Sequence, residues 1–258
     1  MRIRLLAIAV CFTAFTLITS RAEAQNNTNG EFSVLFWKPT PDLVISTPAV
    51  TGAGVDEIDF VSEFGIEQKW FPEFRASLGH KHKFRFGYVP IKYDASATIR
   101  RTITLNGRTF NVGAPATTEI KWDLWRFGYE WDFVSTDSGF FGLIADLKYN
   151  KVTASIDSPA LARASSTEQK APVPTIGAIG RGYIAPQVAI SAEFTALKID
   201  RSEFNAKFYD FDVNAFVTFG KYIGAQGGYR AVTVDYLVDQ DTGDLKMQGP
   251  YAGLILRF

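Results

Sequence analysis

Apolar and polar residues alternate along much of this chain with a period of two, which is the spacing of a β-strand rather than a helix. In segment 127–133 every second residue is aromatic, and the residues between them are Gly128, Glu130 and Asp132. Segment 141–150 repeats the alternation after a short polar stretch at 135–138. Two such strands with a short connection predict an antiparallel hairpin with one apolar and one polar face.

The same pattern recurs at 188–195 and at 210–219, where Phe216 is an apolar residue on an otherwise polar face. Short connections alternate strictly with longer ones. The short ones are predicted at 79–81, 135–138, 185–186 and 220–221, and the longer ones at 38–69, 101–118, 156–171, 201–206 and 239–244. This order predicts about ten antiparallel strands. Eight follow if the weak strand at 177–182 is not a strand, and twelve follow if 56–66 adds a hairpin.

One strand changes its alternation part-way along. The aromatic residues of 84–88 occupy even positions, whereas the apolar residues of 91–97 occupy odd ones. Val89 and Pro90 lie at the change. A bulge at these two residues would return both sets to one face, and we therefore expect one there.

Aromatic bulk indicates which face points outward. The chain is 14% aromatic and has 22 phenylalanines. The interior of a barrel of about ten strands is too narrow for a complete aromatic lining, whereas lipid accepts such side chains without a packing constraint. The sequence therefore predicts an all-β fold, a transmembrane antiparallel up-and-down β-barrel, formed by a single domain at residues 25–258.

The first residues have the features of a secretory signal peptide. Arg2 and Arg4 precede an apolar stretch at 5–18, which is shorter than the roughly 20 residues of a membrane-spanning helix. Ala22-Glu23-Ala24 then offers small residues at both positions that a signal peptidase reads. We expect residues 1–24 to be removed together with Cys11, which leaves no cysteine for a disulfide, a thiolate nucleophile or a metal site.

The last strand, 252–258, alternates apolar residues with small or polar ones and stops at a C-terminal phenylalanine. With the signal peptide and the alternating segments, this ending resembles small bacterial outer-membrane barrel proteins, including the OmpW-like and OmpA-like barrels. The resemblance implies insertion into the outer membrane, contact with its lipids and both termini in the periplasm. It also implies that the barrel assembly machinery reads Leu254, Leu256 and Phe258 as a signal.

Charge gives no support for nucleic-acid binding. Residues 1–24 hold three of the 27 basic and one of the 27 acidic residues, so the remaining chain has a formal net charge of −2.

Charged residues on the polar faces of the strands are candidates for lining the lumen. Because charges away from bulk water need partners, we expect them to form an ion-paired filling. The alternative is a narrow polar channel, with a cation preference set by the acids of 130–146 and 210–212. The candidates are Glu73, Arg75, Arg85, Arg126, Glu130, Asp132, Asp146, Lys148, Arg181, Glu193, Asp210, Asp212 and Arg230.

Catalysis has few candidates. His80 and His82 are the two histidines, and Ser77 precedes His80 by three residues in the same predicted hairpin. The outer-membrane barrel enzymes that use histidine, lipid A deacylases and omptin-like proteases, act at the outer leaflet or the exterior. The topology places this turn in the periplasm, so we expect no catalytic residues and interpret the turn as a solvated basic one.

Two further motifs are weak. Segment 239–244 is rich in aspartate but lacks the fifth-position ligand and the bidentate glutamate of a calcium-binding EF-hand loop. Segment 177–182 has its glycines in the wrong order for a dinucleotide fingerprint. We expect a solvated turn and a glycine-containing strand, with no metal and no cofactor.

The outer loop at 38–69 is unusually apolar, and we expect it to pack on neighbouring loops, although it could also gate the barrel or bind a hydrophobic solute. The sequence as a whole favours a non-enzymatic outer-membrane protein that is a structural envelope component or a narrow small-solute channel. Two alternatives remain open: a lipid-modifying or proteolytic barrel enzyme, and a surface adhesin that acts through its long loops.

Overall fold

The computed structural model describes residues 28–48, 55–201, 204–238 and 241–258. In these residues no helix is long and apolar enough to cross a membrane. The strands are β1 Gly30–Trp37, β2 Thr40–Pro48, β3 Val55–Asp59, β4 Phe71–Gly79, β5 His82–Thr98, β6 Ile103–Leu105, β7 Arg108–Phe110, β8 Pro115–Thr136, β9 Gly139–Ser158, β10 Arg163–Ala185, β11 Val188–Arg201, β12 Phe204–Phe219, β13 Ile223–Val238 and β14 Asp241–Arg257. A short helix, α1, spans Phe60–Phe64, and a 3-10 turn spans Pro159–Leu161.

Ten of these strands close into an antiparallel barrel in the order β1, β4, β5 and then β8 to β14. The first and last strands close the ring, with pairs running from Glu31 opposite Arg257 to Trp37 opposite Tyr251. This confirms the predicted transmembrane barrel and its ten strands. Segment 177–182 lies within β10 and belongs to the ring, whereas 56–66 forms β3 and α1 outside it.

The two ends of the barrel differ. Short turns at 80–81, 137–138, 186–187 and 220–222 lie at the end that also holds Gly30 and Phe258, which we name the turn end. At the opposite end, the loop end, the strands run much farther than expected: β8, β9 and β10 contain 22, 20 and 23 residues. The predicted long connection at 156–171 is therefore wrong, because β9 and β10 stay paired up to Ser158 and Arg163. Segment 101–118 likewise contains the β6–β7 hairpin and the start of β8.

The connection at 38–69 extends the barrel wall. β2 continues the line of β1 along β14, and β3 then pairs with β2. Inward-facing apolar side chains of this segment, including Leu43, Ile58 and Phe60, are fully buried. The described parts of the segment, 38–48 and 55–69, therefore pack into the loop end, as the apolar composition suggests.

The two faces of the wall exchange character along a single strand. The outward residues of β8 are Glu119, Lys121 and Asp123 near the loop end and then aromatic from Trp125 to Phe133. Its inward residues follow the reverse order, since Ile120, Trp122 and Leu124 are buried and apolar, and Arg126, Glu130 and Asp132 follow them. An aromatic exterior is what lipid favours, and a charged exterior is what water favours. The loop-end half of the barrel is thus built like a soluble barrel and the turn-end half like a membrane one.

This exchange explains the change of alternation in β5. The predicted bulge at Val89–Pro90 is wrong, because β5 keeps one register with β8 from His82 opposite Trp131 to Thr98 opposite Pro115. Phe84 faces outward and is 72% exposed, whereas Ile91 faces inward and is 2% exposed. The apolar residues change parity because the apolar side of the wall changes from outside to inside.

The C-terminal strand presents its alternate residues outward. Leu254, Leu256 and Phe258 are 59%, 43% and 57% exposed. The proposed signal peptide, with Cys11, and residues 239–240 lie outside the described residues. Residues 241–244 of the predicted solvated turn are instead the start of β14, so that part of the prediction is wrong.

The exchange of faces predicts that an outward-facing arginine destabilises the barrel to different extents at two positions of β8. Phe127→Arg places a cation in the aromatic band, whereas Thr117→Arg places it on the charged outer face near the loop end. We expect Phe127→Arg to lower the free energy of unfolding by roughly 2–4 kcal/mol and Thr117→Arg to change it by about 0–1 kcal/mol. Urea unfolding of the barrel in lipid vesicles measures both, and equal costs would contradict the assignment of the band.

Candidate functional site

The turn-end half of the lumen is filled by charged side chains from all ten strands of the ring. The thirteen candidates named from the sequence all lie here, on the inward face of their strands and buried or half-buried. Each forms an ion pair with another inward-facing residue. We name this set, together with Glu31, Lys83 and Arg257, the ionic plug.

Asp210 on β12 is the centre of the plug. Its carboxylate accepts two hydrogen bonds from Arg230, at 3.0 and 2.9 Å. It also accepts hydrogen bonds from Lys148 Nζ at 2.7 Å and from Arg126 at 3.0 Å. These three cations come from β13, β9 and β8, so one carboxylate ties together strands on opposite sides of the ring.

Further pairs span the lumen. Arg230 reaches Glu73 on β4 at 2.7 Å, and Arg75 reaches Asp212 on β12 at 2.8 Å. The hydroxyl of Tyr251 donates a 2.7 Å hydrogen bond to Asp212. Because β4 and β12 are far apart in the ring, these contacts cross the lumen instead of running along its wall.

The plug continues toward the turn end. Arg126 pairs with Asp146 at 3.3 Å and with Glu193 at 3.1 Å, and Arg85 also pairs with Glu193. Arg85 and a lysine of β5, Lys83, then share Glu130 at 3.3 and 2.7 Å. Lys83 ends the series on Asp132 at 2.6 Å.

Three members of the plug are missing from the sequence-based set. Glu31 on β1 accepts hydrogen bonds from Arg181 at 2.5 Å and from Arg257 at 3.0 Å. Lys83 is the third. Each of the three is adjacent in sequence to an exposed aromatic or aliphatic residue, so it faces the other side of the strand. Arg257, for example, lies between Leu256 and Phe258. The same alternation rule would have found them.

The plug is balanced in charge and tightly packed. It contains eight basic and eight acidic side chains, so each sign can be neutralised by the other. A Cβ on Gly128 would lie 1.8 Å from Asp146 Oδ1, so the glycine makes room for that carboxylate. A polar cavity within the plug has a volume of about 80 Å³. A few water molecules fit in it, but a continuous wide path does not.

An apolar cavity lies above the plug, toward the loop end. Its volume is about 380 Å³, and we name it the chamber. Apolar side chains from five strands line it: Trp122, Val152, Leu197, Phe208 and Leu245. Lys148 of the plug lies 4.8 Å from the centre of the Phe208 ring, so the plug forms the floor of the chamber.

The outer face of the wall at the loop end is charged and exposed to solvent. Lys121 and Lys92 contact Glu119 at 2.5 and 2.8 Å. The hydrogen bonds that these lysines donate lower the pKa of Glu119 to about 2, and the bond from Lys121 has the larger effect. Inside the same section, burial raises the pKa of Tyr93, whose hydroxyl contacts the sulfur of Met247.

The candidates for catalysis do not come together. Ser77 faces the lumen, His80 lies exposed in the turn, and His82 faces outward, where it contacts the Tyr129 hydroxyl and stacks on Trp131. Gly177 lies in β10, where a Cβ would meet the Phe194 carbonyl of β11 at 1.9 Å, so close strand packing accounts for it. Within the described ranges no group of three or more His, Cys, Asp or Glu side chains is arranged to hold a metal ion.

Comparisons with known proteins support the architecture. No protein-family model and no curated protein matches the chain. The structure resembles the outer membrane protease OmpT from Escherichia coli, with a TM-score of 0.60 and 10% identity over 89% of this chain and 97% of that one. The fold is that of a bacterial outer-membrane barrel. At this identity the likeness shows the fold alone, and it does not single out the OmpW-like or OmpA-like group.

A weaker likeness is to the Pseudomonas putida toluene transporter TodX, with a TM-score of 0.35 and 8% identity over 92% of both chains.

Removal of the central carboxylate should be costly. Asp210→Ala leaves three buried cations without their shared partner, so we expect a loss of roughly 3–5 kcal/mol in the free energy of unfolding. Asp94→Ala is the matched control, because Asp94 pairs with Lys92 on the outer face and its side chain is 52% exposed, where a pair contributes about 0–1 kcal/mol. Urea titration in lipid vesicles measures both, and a small loss for Asp210→Ala would show that water solvates the plug.

Proposed function

We propose that the chain is a non-enzymatic integral outer-membrane protein whose lumen is closed at rest, a component of the envelope rather than an open porin. The observation that carries this proposal is the ionic plug. Its pairs cross the lumen from β4 and β8 to β12 and β13, and most of its charged groups are nearly inaccessible to solvent. A porin of this size would need that space for water.

The proposal includes an orientation with the turn end in the periplasm and the loop end outside the cell. Short periplasmic turns and long outer connections are the rule for such barrels. The signal-peptide features of residues 1–24 agree with export, and the charged outer wall at the loop end suits a section that projects into water. In this orientation the exposed Leu254, Leu256 and Phe258 are available to the assembly machinery and afterwards to lipid.

A narrow, gated channel is a second candidate, and the small polar cavity favours it. That cavity lies beside Arg75, Arg85 and Arg126, which carry most of the pairs that cross the lumen at this level. Movement of these arginines would join the cavity to both ends and leave a path lined by carboxylates. Such a path would prefer cations.

Neither rival function has comparable support. A barrel enzyme would need a polar constellation near the loop end, but both histidines lie at the turn end and apart from Ser77. An adhesin would use surface loops, whereas β2, α1 and the β6–β7 hairpin bury apolar side chains such as Leu43, Phe60 and Phe110 in the barrel mouth.

Conductance of the refolded protein in a planar bilayer tests the closed lumen. We expect the native barrel to be silent at low voltage and the triple variant Arg85→Ala/Arg126→Ala/Arg230→Ala to conduct with a cation preference, because it loses the crossing cations and keeps the acids. The control Lys92→Ala/Lys121→Ala/Lys151→Ala removes three outer-face cations and should stay silent. Circular dichroism and heat-modified gel mobility verify folding, and Arg85→Ala alone serves if the triple variant fails to fold.

Steady conductance of the native protein at low voltage would contradict the closed lumen. The non-enzymatic part is tested with protease and lipid A substrates. Any hydrolysis that the native barrel shows and His80→Ala/His82→Ala loses would overturn it.

A further inference from the structure

The barrel wall has a gap beside the chamber. Within the described residues, β10 pairs with β11 only from Ile176 opposite Ala196 to Ala185 opposite Val188. On the N-terminal side of Ile176, the thirteen residues of β10 from Arg163 to Thr175 pair with β9 alone. β11 continues to Arg201 paired with β12 alone. The two hairpins therefore separate above Ile176 and Ala196, and each leaves a strand edge without a partner.

The residues along this edge are suited to staying unpaired. Pro172 and Pro174 have no backbone N–H, and proline in sheets is confined to edges and bulges. β10 keeps its register with β9 through both prolines, so the missing donors do not disturb that pairing. They do disfavour a continuous ladder with β11.

The chamber reaches this gap. Six consecutive residues of β10, 169–174, line the chamber, although a strand with partners on both edges shows only alternate residues to one side of a sheet. Residues 169–172 are all exposed, so neither face of β10 is covered at this level. The chamber therefore opens sideways through the wall.

Other exits from the chamber are obstructed. The plug closes the floor, where Lys148 and Asp210 lie directly below Phe208. The β6–β7 hairpin covers the loop end and forms hydrogen bonds with β10. For example, the Ser165 hydroxyl donates to the Leu105 carbonyl at 2.7 Å. The other interrupted edge, between β3 and β5, is covered by α1, whose Phe60 and Phe64 are buried.

The gap begins at the upper boundary of the aromatic band. Ile176, just below it, faces outward and is 75% exposed, and Pro172 lies opposite Tyr149, the last outward aromatic residue of β9. Lys151 and Lys170, the next outward pair, are charged. The opening thus connects an apolar chamber to the place where lipid chains meet water.

We propose that the chamber binds a single apolar chain, such as the alkyl tail of a single-chain amphiphile, which enters sideways between β10 and β11. Its volume of about 380 Å³ lies within the range of small-molecule sites, which is roughly 300–1,000 Å³. Most of the lining is apolar, so a charge placed among these side chains would lose its hydration. The charged residues that also border the chamber, Lys170, Lys207 and Asp235, occupy outward strand positions. The polar head would remain at the charged outer wall.

Binding of cis-parinaric acid, a fluorescent single-chain fatty acid, tests the chamber. Ala206 and Ala215 both lie on β12, but Ala206 lines the chamber and Ala215 faces outward in the aromatic band. We expect saturable binding to the native barrel, a loss of at least about tenfold in affinity for Ala206→Trp, and no change for Ala215→Trp. Absence of saturable binding to the native protein, or equal affinities of the two variants, would overturn the proposal. The first of these results is also the one expected if the free strand edges bind a peptide strand instead of an alkyl chain.

The route is tested by closing the gap. Extension of the β10–β11 register would place residue 174 opposite residue 198, both on the outer face. In Pro174→Cys/Lys198→Cys, linked by a short bis-maleimide, we expect at least a tenfold slower uptake of the probe than in the unlinked variant. Equal uptake rates would overturn sideways entry. Both tests are independent of the conductance experiment, so a closed barrel that binds no alkyl chain would leave the proposed function intact.

Discussion

The structure of the turn-end half depends on how charge is buried in a lumen of ten strands. A carboxylate or guanidinium in so narrow a space cannot keep its hydration, so it must find an opposite charge within reach. Asp210 meets this requirement by sharing its two oxygens among Arg230, Lys148 and Arg126. Because those cations come from three different strands, the same contacts that neutralise the charge also link distant parts of the ring and fill the lumen at this level.

The position of the plug along the barrel follows from the exchange of faces. Where the exterior is aromatic, the inward positions are free to be charged, and the plug occupies that half. Where the exterior is charged, as at Lys121, the inward positions must supply an apolar core, and Trp122 and Leu124 do so. The boundary lies near Tyr88 and Trp125, whose rings stack at 3.9 Å. Strand β8 thus faces two different environments while it keeps one register with β5.

Much of this architecture could be predicted from the sequence. Three features of the sequence predict the ten strands and most of the residues that line the lumen. They are the alternation with a period of two, the alternation of short and long connections, and the many aromatic residues on one face. What failed were inferences that assumed one solvent throughout. Segment 156–171 looks like a loop because, apart from Ile156 and Leu161, both its faces are polar or small. Segment 89–90 looks like a bulge because the apolar parity changes there. Partnerships such as Arg230 with Glu73, separated by 157 positions, also require the closed ring to be known.

The plug and the chamber are parts of one arrangement. The ion pair between Lys148 and Asp210 lies at the upper end of the plug and forms the polar floor on which Phe208 packs from the chamber side. A molecule in the chamber therefore meets paired charges beneath it, and passage downward would require those pairs to separate inside a narrow lumen. Lateral escape requires no such separation, since the β10 edge at Pro172 and Pro174 has no β11 partner to displace. The closed floor and the interrupted wall thus direct an apolar ligand toward lipid and away from the opposite side of the membrane.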